Sequence, residues 1–301
     1  MSHSIGPKKA AFATVVALLI STEISALTIS LLKDITNMTY SIDGSVQKTT
    51  TLRITNNSYI GSFCVVFTLT GLAPVRTPTP GLGLYNADNS PATQLALDGS
   101  HAAAADVISG DFPIGSGKNA KLNFTLAAII AADPLPPPDS YVASIRADLY
   151  EGTYSSLGAL TDTLTFMVSF DVGSHLDLSL DSFTTTPAGA TLAFDPMFEN
   201  APQSVSLFVR SNAGYSISMR STNVGAMANT TNPALLIDYD MTLAGSPVQF
   251  TDTNYKVVLS GQSATTLTPQ EYLLEVTIPT FATEPASGDY SDTVTILLAA
   301  P

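Results

Sequence analysis

Tyr290, Val294, Ile296 and Leu298 recur at even spacing in the last stretch of the sequence, Gly288-Asp-Tyr-Ser-Asp-Thr-Val-Thr-Ile-Leu-Leu-Ala-Ala-Pro301. Side chains at even spacing share one face of a β-strand, so the run predicts a strand with a buried face. The same offsets from a tyrosine occur earlier, in Tyr141, Ile145, Ala147 and Leu149. There the sequence continues into another alternating run, Leu164, Phe166, Val168, Phe170 and Val172, whereas nothing comparable follows Leu298. One half of the chain is therefore expected to carry a closing strand that the other half lacks.

The rest of the sequence agrees with an all-β reading. Of 301 residues, 45% are hydrophobic and only 12% charged, and short β-branched runs are broken by 19 Gly and 19 Pro. Such a chain is long enough for two sizeable cores. A formal net charge of −13 with no basic patch argues against nucleic acid or an anionic membrane as partner. Lys8 and Lys9 precede the apolar stretch 10–20, and small Ala26 suits cleavage, so residues 1–26 read as a signal peptide for export. That stretch is shorter than the ~20 residues of a membrane span, and no later segment could cross a bilayer. Cys64, the only cysteine, sits in Gly-Ser-Phe-Cys-Val-Val-Phe and reads as a buried, inert thiol.

A second landmark repeats. Leu52-Arg-Ile-Thr-Asn56-Asn-Ser-Tyr59 and Leu207-Phe-Val-Arg-Ser-Asn212-Ala-Gly-Tyr215 each read as strand, Asn-x-x-Tyr turn and strand, a hairpin pattern. The shift is 156 residues here and 149 between Tyr141 and Tyr290, which argues for tandem copies of one fold. The boundary falls near Gly173, giving a first β-sandwich over 27–173 and a second over 174–301 that opens on Leu176, Leu178 and Leu180. About seven strand-like runs per copy suit an immunoglobulin-like sandwich, in which Tyr141 and Tyr290 would bond back to nearby backbone as corner tyrosines.

Chemistry-bearing residues are scarce. Beyond the leader only His101 and His175 remain, neither in a zinc-enzyme or nucleophile-elbow motif. His175 near Asp177 reads as a solvated junction residue, and the carboxylates of Asp238-Tyr-Asp240 as one face of a strand without a calcium loop. No catalytic, cofactor-binding or metal-ligating residue is expected, and the chain does not read as an enzyme.

Gly288-Asp-Tyr-Ser-Asp-Thr-Val-Thr-Ile resembles the C-terminal signature of spore coat protein U-like pilins, subunits of archaic chaperone–usher pili. Val209-Arg-Ser-Asn-Ala-Gly-Tyr-Ser-Ile, with Ser221-Thr-Asn-Val-Gly225 behind it, is similar to the second-strand region of such domains. The resemblance covers residues 176–301 and is weaker over 27–172. It implies two pilin-type sandwiches, the second lacking its final strand, with Tyr290, Val294, Ile296 and Leu298 walling a groove. It also implies that the groove receives a strand from a periplasmic chaperone and then from an adjacent pilin, after passage through an outer-membrane usher. Two departures stand out: no disulfide is possible, and there are two domains where shaft pilins have one.

A complete first domain and the absence of a long donor extension resemble a tip adhesin, exposed on the cell surface at the end of a fimbria. If alternating Leu27, Ile29 and Leu31 were donated instead, the subunit would be internal. Three long loops of the first copy, 71–84, 101–114 and 127–138, are candidates for gripping a hydrophobic or glycan surface. Their candidate contact residues are Leu72, Pro74, Val75, Leu82, Leu84, Phe112, Pro113, Ile114, Leu135 and Pro136. The alternative is a secreted carbohydrate-binding or cell-surface structural module with no part in pilus assembly.

Overall fold

A computed structural model describes residues 26–42, 44–182, 189–194, 199–281 and 283–300. The expected signal peptide, apart from Ala26, lies outside the described residues. Among these residues no helix is long and apolar enough to cross a membrane. The architecture is all-β.

The first sandwich is built from β1 (Leu27–Leu31), β2 (Ile35–Thr39), β3 (Val46–Asn56), β4 (Gly61–Ala73), β5 (Leu82–Asn86), β6 (Thr93–Leu95), β7 (Ile108–Phe112), β8 (Lys121–Ile130), β9 (Asp139–Thr153) and β10 (Ser156–Val172). One sheet has the order β1-β3-β8-β5-β6 and the other β2-β10-β9-β4-β7. The alternation read from the sequence sets which side chains meet between them. Ala143, Ile145, Ala147 and Leu149 of β9 face inward with no exposed surface, and Phe166, Val168, Phe170 and Val172 of β10 close over them. Beyond β10 the sheet ends in β2, which pairs with it in parallel. The chain thus runs from the end of one sheet as β1 to the end of the other as β2, and the two strands close the same edge of the sandwich.

The second sandwich contains β11 (Leu176–Leu180), β12 (Pro202–Ser211), β13 (Tyr215–Ser221), β14 (Ala226–Asn229), β15 (Leu236–Asp238), β16 (Asp240–Leu243), β17 (Ser246–Val248), β18 (Lys256–Gln262), β19 (Gln270–Thr277), β20 (Tyr290–Ser291) and β21 (Val294–Ala299). One face is the sheet β11-β12-β19-β16-β17. The other is split into β18-β13-β21 and β15-β14-β20. The split falls where Asp292 interrupts the last strand. Its carboxylate accepts hydrogen bonds from Ser221 Oγ and Tyr239 Oη at 2.6 Å, from the Asn223 amide at 3.0 Å and from the Thr293 amide at 2.8 Å. One side chain therefore replaces the backbone pairing lost at the break.

The Asn-x-x-Tyr landmarks are strand–turn–strand, but not hairpins. β3 and β4 lie in opposite sheets, as do β12 and β13. Both flanking strands carry a buried face, and the turn lets the chain pass from one sheet to the other so that those faces meet. The two asparagines have also diverged. Asn56 caps its own turn, accepting from the amides of Ser58 and Tyr59 at 2.7 and 2.6 Å. Asn212 instead joins the two sandwiches. It is buried, donates to Pro136 O at 3.1 Å and Gly173 O at 2.8 Å, and accepts from the His175 amide at 2.7 Å. The Tyr40 ring meets His175 edge-on at 6.0 Å, and Leu267 packs against the first core. Asp177 is held by Arg210 at 2.7 Å rather than by His175.

Candidate functional site

The corner tyrosines set the frame of the site. Tyr141 Oη donates to Pro137 O at 2.8 Å and Tyr290 Oη to Ala286 O at 2.9 Å, each four residues upstream. The same device thus starts β9 and the β20–β21 strand, and the two strands can be compared position by position. Gly288 sits at φ +142°, where a Cβ would lie 2.5 Å from Asn229 Nδ2, so the glycine of the Gly-Asp-Tyr signature is sterically required.

From that common start the two copies part. β9 is paired on both sides, by β4 and β10. β21 is paired only with β13 among the described residues, so its outer edge presents free backbone groups. Val294, Ile296 and Leu298 are half-buried, whereas their counterparts Ile145, Ala147 and Leu149 are fully enclosed. Across from β21 runs the segment 189–194, whose Ala190, Leu192 and Phe194 pack partly against the core at alternate positions. This segment belongs to no sheet among the described residues. It follows β11 as β2 follows β1, and no strand pairs with it among the described residues.

Between these two walls lies a groove of about 760 Å³. Its floor is Val205, Met227, Tyr239, Met241, Leu274 and Val276, with Leu180 at one end and Gly288–Tyr290 at the other. Burial pushes the Tyr239 hydroxyl well above its ordinary range, and its bond to Asp292 adds to this, so it stays a neutral donor. One wall is made by residues from Gly288 to Ile296, running from before β20, through the break at Asp292, into β21. A small molecule could match the volume but not the row of free backbone groups. An extended peptide matches both.

Of the groove residues expected from sequence, Tyr290, Val294 and Ile296 line the groove, and Leu298 is half-buried one step beyond. The floor and the 189–194 wall were not anticipated, although the alternation of Ala190, Leu192 and Phe194 was a visible signal.

The loop expectations need correction. Leu84, Phe112, Leu135 and Pro136 are buried, so they cannot touch an outside surface. Leu84 is the central residue of β5, Phe112 ends β7, and Leu135 and Pro136 lie where the first sandwich meets the second. Leu72, Pro74 and Leu82 are half-buried, and Leu72 and Leu82 pack against the same core. Val75, Pro113 and Ile114 are exposed, Val75 at 83% and Ile114 at 89%.

The loops also divide between two poles. Val172 pairs with Asp139, placing the start of β9 at the junction with the second sandwich. Arg76 binds Asp139 at 2.8 Å, the Ala131 amide bonds Gly81 O, and Pro136 O is held by Asn212. The segments around Val75 and Leu135 therefore gather at the junction. The opposite pole carries the β9–β10 turn, with Gly61 opposite Phe112, and there Pro113 and Ile114 meet the turn that ends in exposed Ile60.

Comparison with known proteins adds the following. No protein-family model and no curated protein matches the chain. Among solved structures, a chain of the chaperone–tip adhesion subunit complex of archaic chaperone–usher Csu pili from Acinetobacter baumannii is similar over 88% of this chain and 98% of its own, at 12% identity and TM-score 0.41. The CupB6 tip adhesin of Pseudomonas aeruginosa is similar over 89% and 91%, at 10% identity and TM-score 0.31. The CooA pilin subunit of enterotoxigenic Escherichia coli covers 49% of this chain and 97% of its own, at 12% identity and TM-score 0.33.

Proposed function

We propose that the chain is an adhesive subunit of a chaperone–usher fimbria. Its second sandwich accepts a strand from a partner protein, first a periplasmic chaperone and, after the usher, a neighbouring pilin. The observation that carries this reading is the contrast within one molecule: the same corner, last-strand and core plan is closed by β10 in one copy and left open over a groove with a largely aliphatic floor in the other.

The first copy supplies the geometry of closure. β10 runs antiparallel to β9 and parallel to β2. A strand in the groove would run antiparallel to β21 and parallel to 189–194, bonding to both walls. Its alternate side chains would cover Met227, Met241 and Val276, each well-buried aliphatic group contributing about 1.5–3 kcal/mol.

A position at the tip, rather than inside the fibre, is supported by where β1 lies. Leu27 and Ile29 are buried in the first core, with β1 paired to β3. Donating that segment to a neighbour would open the first sandwich. The subunit therefore receives a strand without giving this one, and the pole bearing Ile60, Pro113 and Ile114 faces outward to the surface being gripped.

The test is complementation. Expressed alone, the chain should be insoluble or oligomeric; with a donor strand fused after Pro301, or with its cognate chaperone, it should be a soluble monomer. A stable monomer with an empty groove counts against the proposal.

A further inference from the structure

We infer that the strand entering the groove carries an apolar side chain on its outward face, opposite Leu297; the inference rests on the acceptor reading above. The register comes from the first sandwich. Ala147 pairs with Phe67 as Ile296 pairs with Met219, and Leu149 pairs with Val65 as Leu298 pairs with Ile217. With the corner tyrosines aligned as well, Leu297 takes the place of Asp148.

The two positions differ in chemistry. Asp148 lies opposite Thr163 of β10, and Thr163 Oγ1 donates to its Oδ1 at 2.7 Å. Arg146 Nε donates to the same oxygen at 2.8 Å. The outward seam between β9 and its closing strand is thus a polar pair with a matched donor and acceptor. Leu297 has no polar side-chain atom to offer, and it is 45% exposed. Beside it in register stands Ser218, and beyond that Val257, 63% exposed. The outward row across β18, β13 and β21 is therefore apolar at both ends and low in the middle, and it stops at the open edge.

A strand added to that edge extends the row by one residue. A threonine or aspartate there would meet an aliphatic neighbour and gain no bond. A valine, isoleucine or leucine would cover the exposed part of Leu297, since directly opposed side chains on adjacent strands touch. Specificity for the entering strand is then read on both of its faces, by the groove inside and by Leu297 outside.

The experiment refolds the full chain with an equimolar mixture of synthetic peptides and reads the captured species by native mass spectrometry. The peptides follow residues 162–172, whose inward side chains close the first sandwich, and differ only at the Thr163 position: valine, threonine or aspartate. The valine peptide should be captured about two- to fivefold over threonine, the range expected of one cross-strand pair. Leu297→Thr should abolish that preference, which separates the pair from any general advantage of valine in strands. Equal capture of all three peptides, or a preference unchanged in Leu297→Thr, overturns the inference and leaves the acceptor reading intact. Capture of none overturns the acceptor reading itself.

Discussion

Replacing Asn212 with alanine should loosen the joint between the sandwiches without dissolving either core. The side chain makes three hydrogen bonds, at 2.7, 2.8 and 3.1 Å, to the His175 amide, Gly173 O and Pro136 O. It is 1% exposed, so alanine leaves two carbonyls and an amide facing a small void. A buried group stripped of its partner costs about 1–3 kcal/mol, which would total several kcal/mol if nothing moved. The joint can relax by admitting water, and a net loss of about 2–4 kcal/mol is expected. Asn212→Asp makes a useful companion: it keeps the acceptor for His175 and turns both donors into acceptors facing carbonyls, so it should cost at least as much. The assay is denaturant unfolding of the full chain with its groove filled, together with proteolysis near Gly173 and small-angle scattering. Asn212→Ala should lower the unfolding midpoint, hasten cleavage and broaden the distance distribution. If all three stay at wild-type values, Asn212 does not hold the joint between the sandwiches.

Other measurements check the remaining parts. Amides of 189–194 and of the outer edge of β21 should exchange hydrogen rapidly in the open chain and slow by orders of magnitude once a donor strand is fused; protection on β21 alone would disprove two-sided pairing. Tyr141→Phe should cost about 1–2 kcal/mol, because the ring is fully buried and Pro137 O loses its donor, whereas Tyr290→Phe, at a more exposed corner, should cost less; equal losses in thermal melts would contradict this. Burial pushes the Cys64 thiol up to about 11, so it should resist thiol reagents at pH 8 until the chain unfolds. The unfolded thiol ionises first as pH rises past its ordinary value near 9, so the native state loses stability between about pH 9 and 11, and Cys64→Ala should flatten that part of the curve.

The parts legible in the sequence are those with a local period. Alternation at Tyr141–Leu149 and Leu164–Val172 marked β9 and β10, and the matching offsets after Tyr290 marked β21, because side-chain direction in a strand depends on parity alone. The corner tyrosines were legible for the same reason, their carbonyl partners lying only four residues away. Sheet membership was not. The Asn56 and Asn212 turns look alike in one dimension, yet hairpins and crossings between sheets share turn residues, and only the partners of the flanking strands separate them. The loop residues failed in the same way: Leu84 and Leu135 are apolar in a proline- and glycine-rich context, and the context does not say whether a core lies beneath them.

By itself, the sequence determined that this chain is all-β and that the alternating run after Tyr290 matches the one after Tyr141, which β10 follows. Those properties follow from spacing and composition, which are carried along the chain. Tertiary structure decided what surrounds that run. It set 189–194 opposite β21 to make a groove with a floor, put Asn212 into the joint, and turned the 71–84 and 127–138 loops toward the junction, leaving Ile60 and Ile114 at the free pole. Each of these depends on contacts between residues far apart in sequence, and no local pattern encodes which distant segment will arrive.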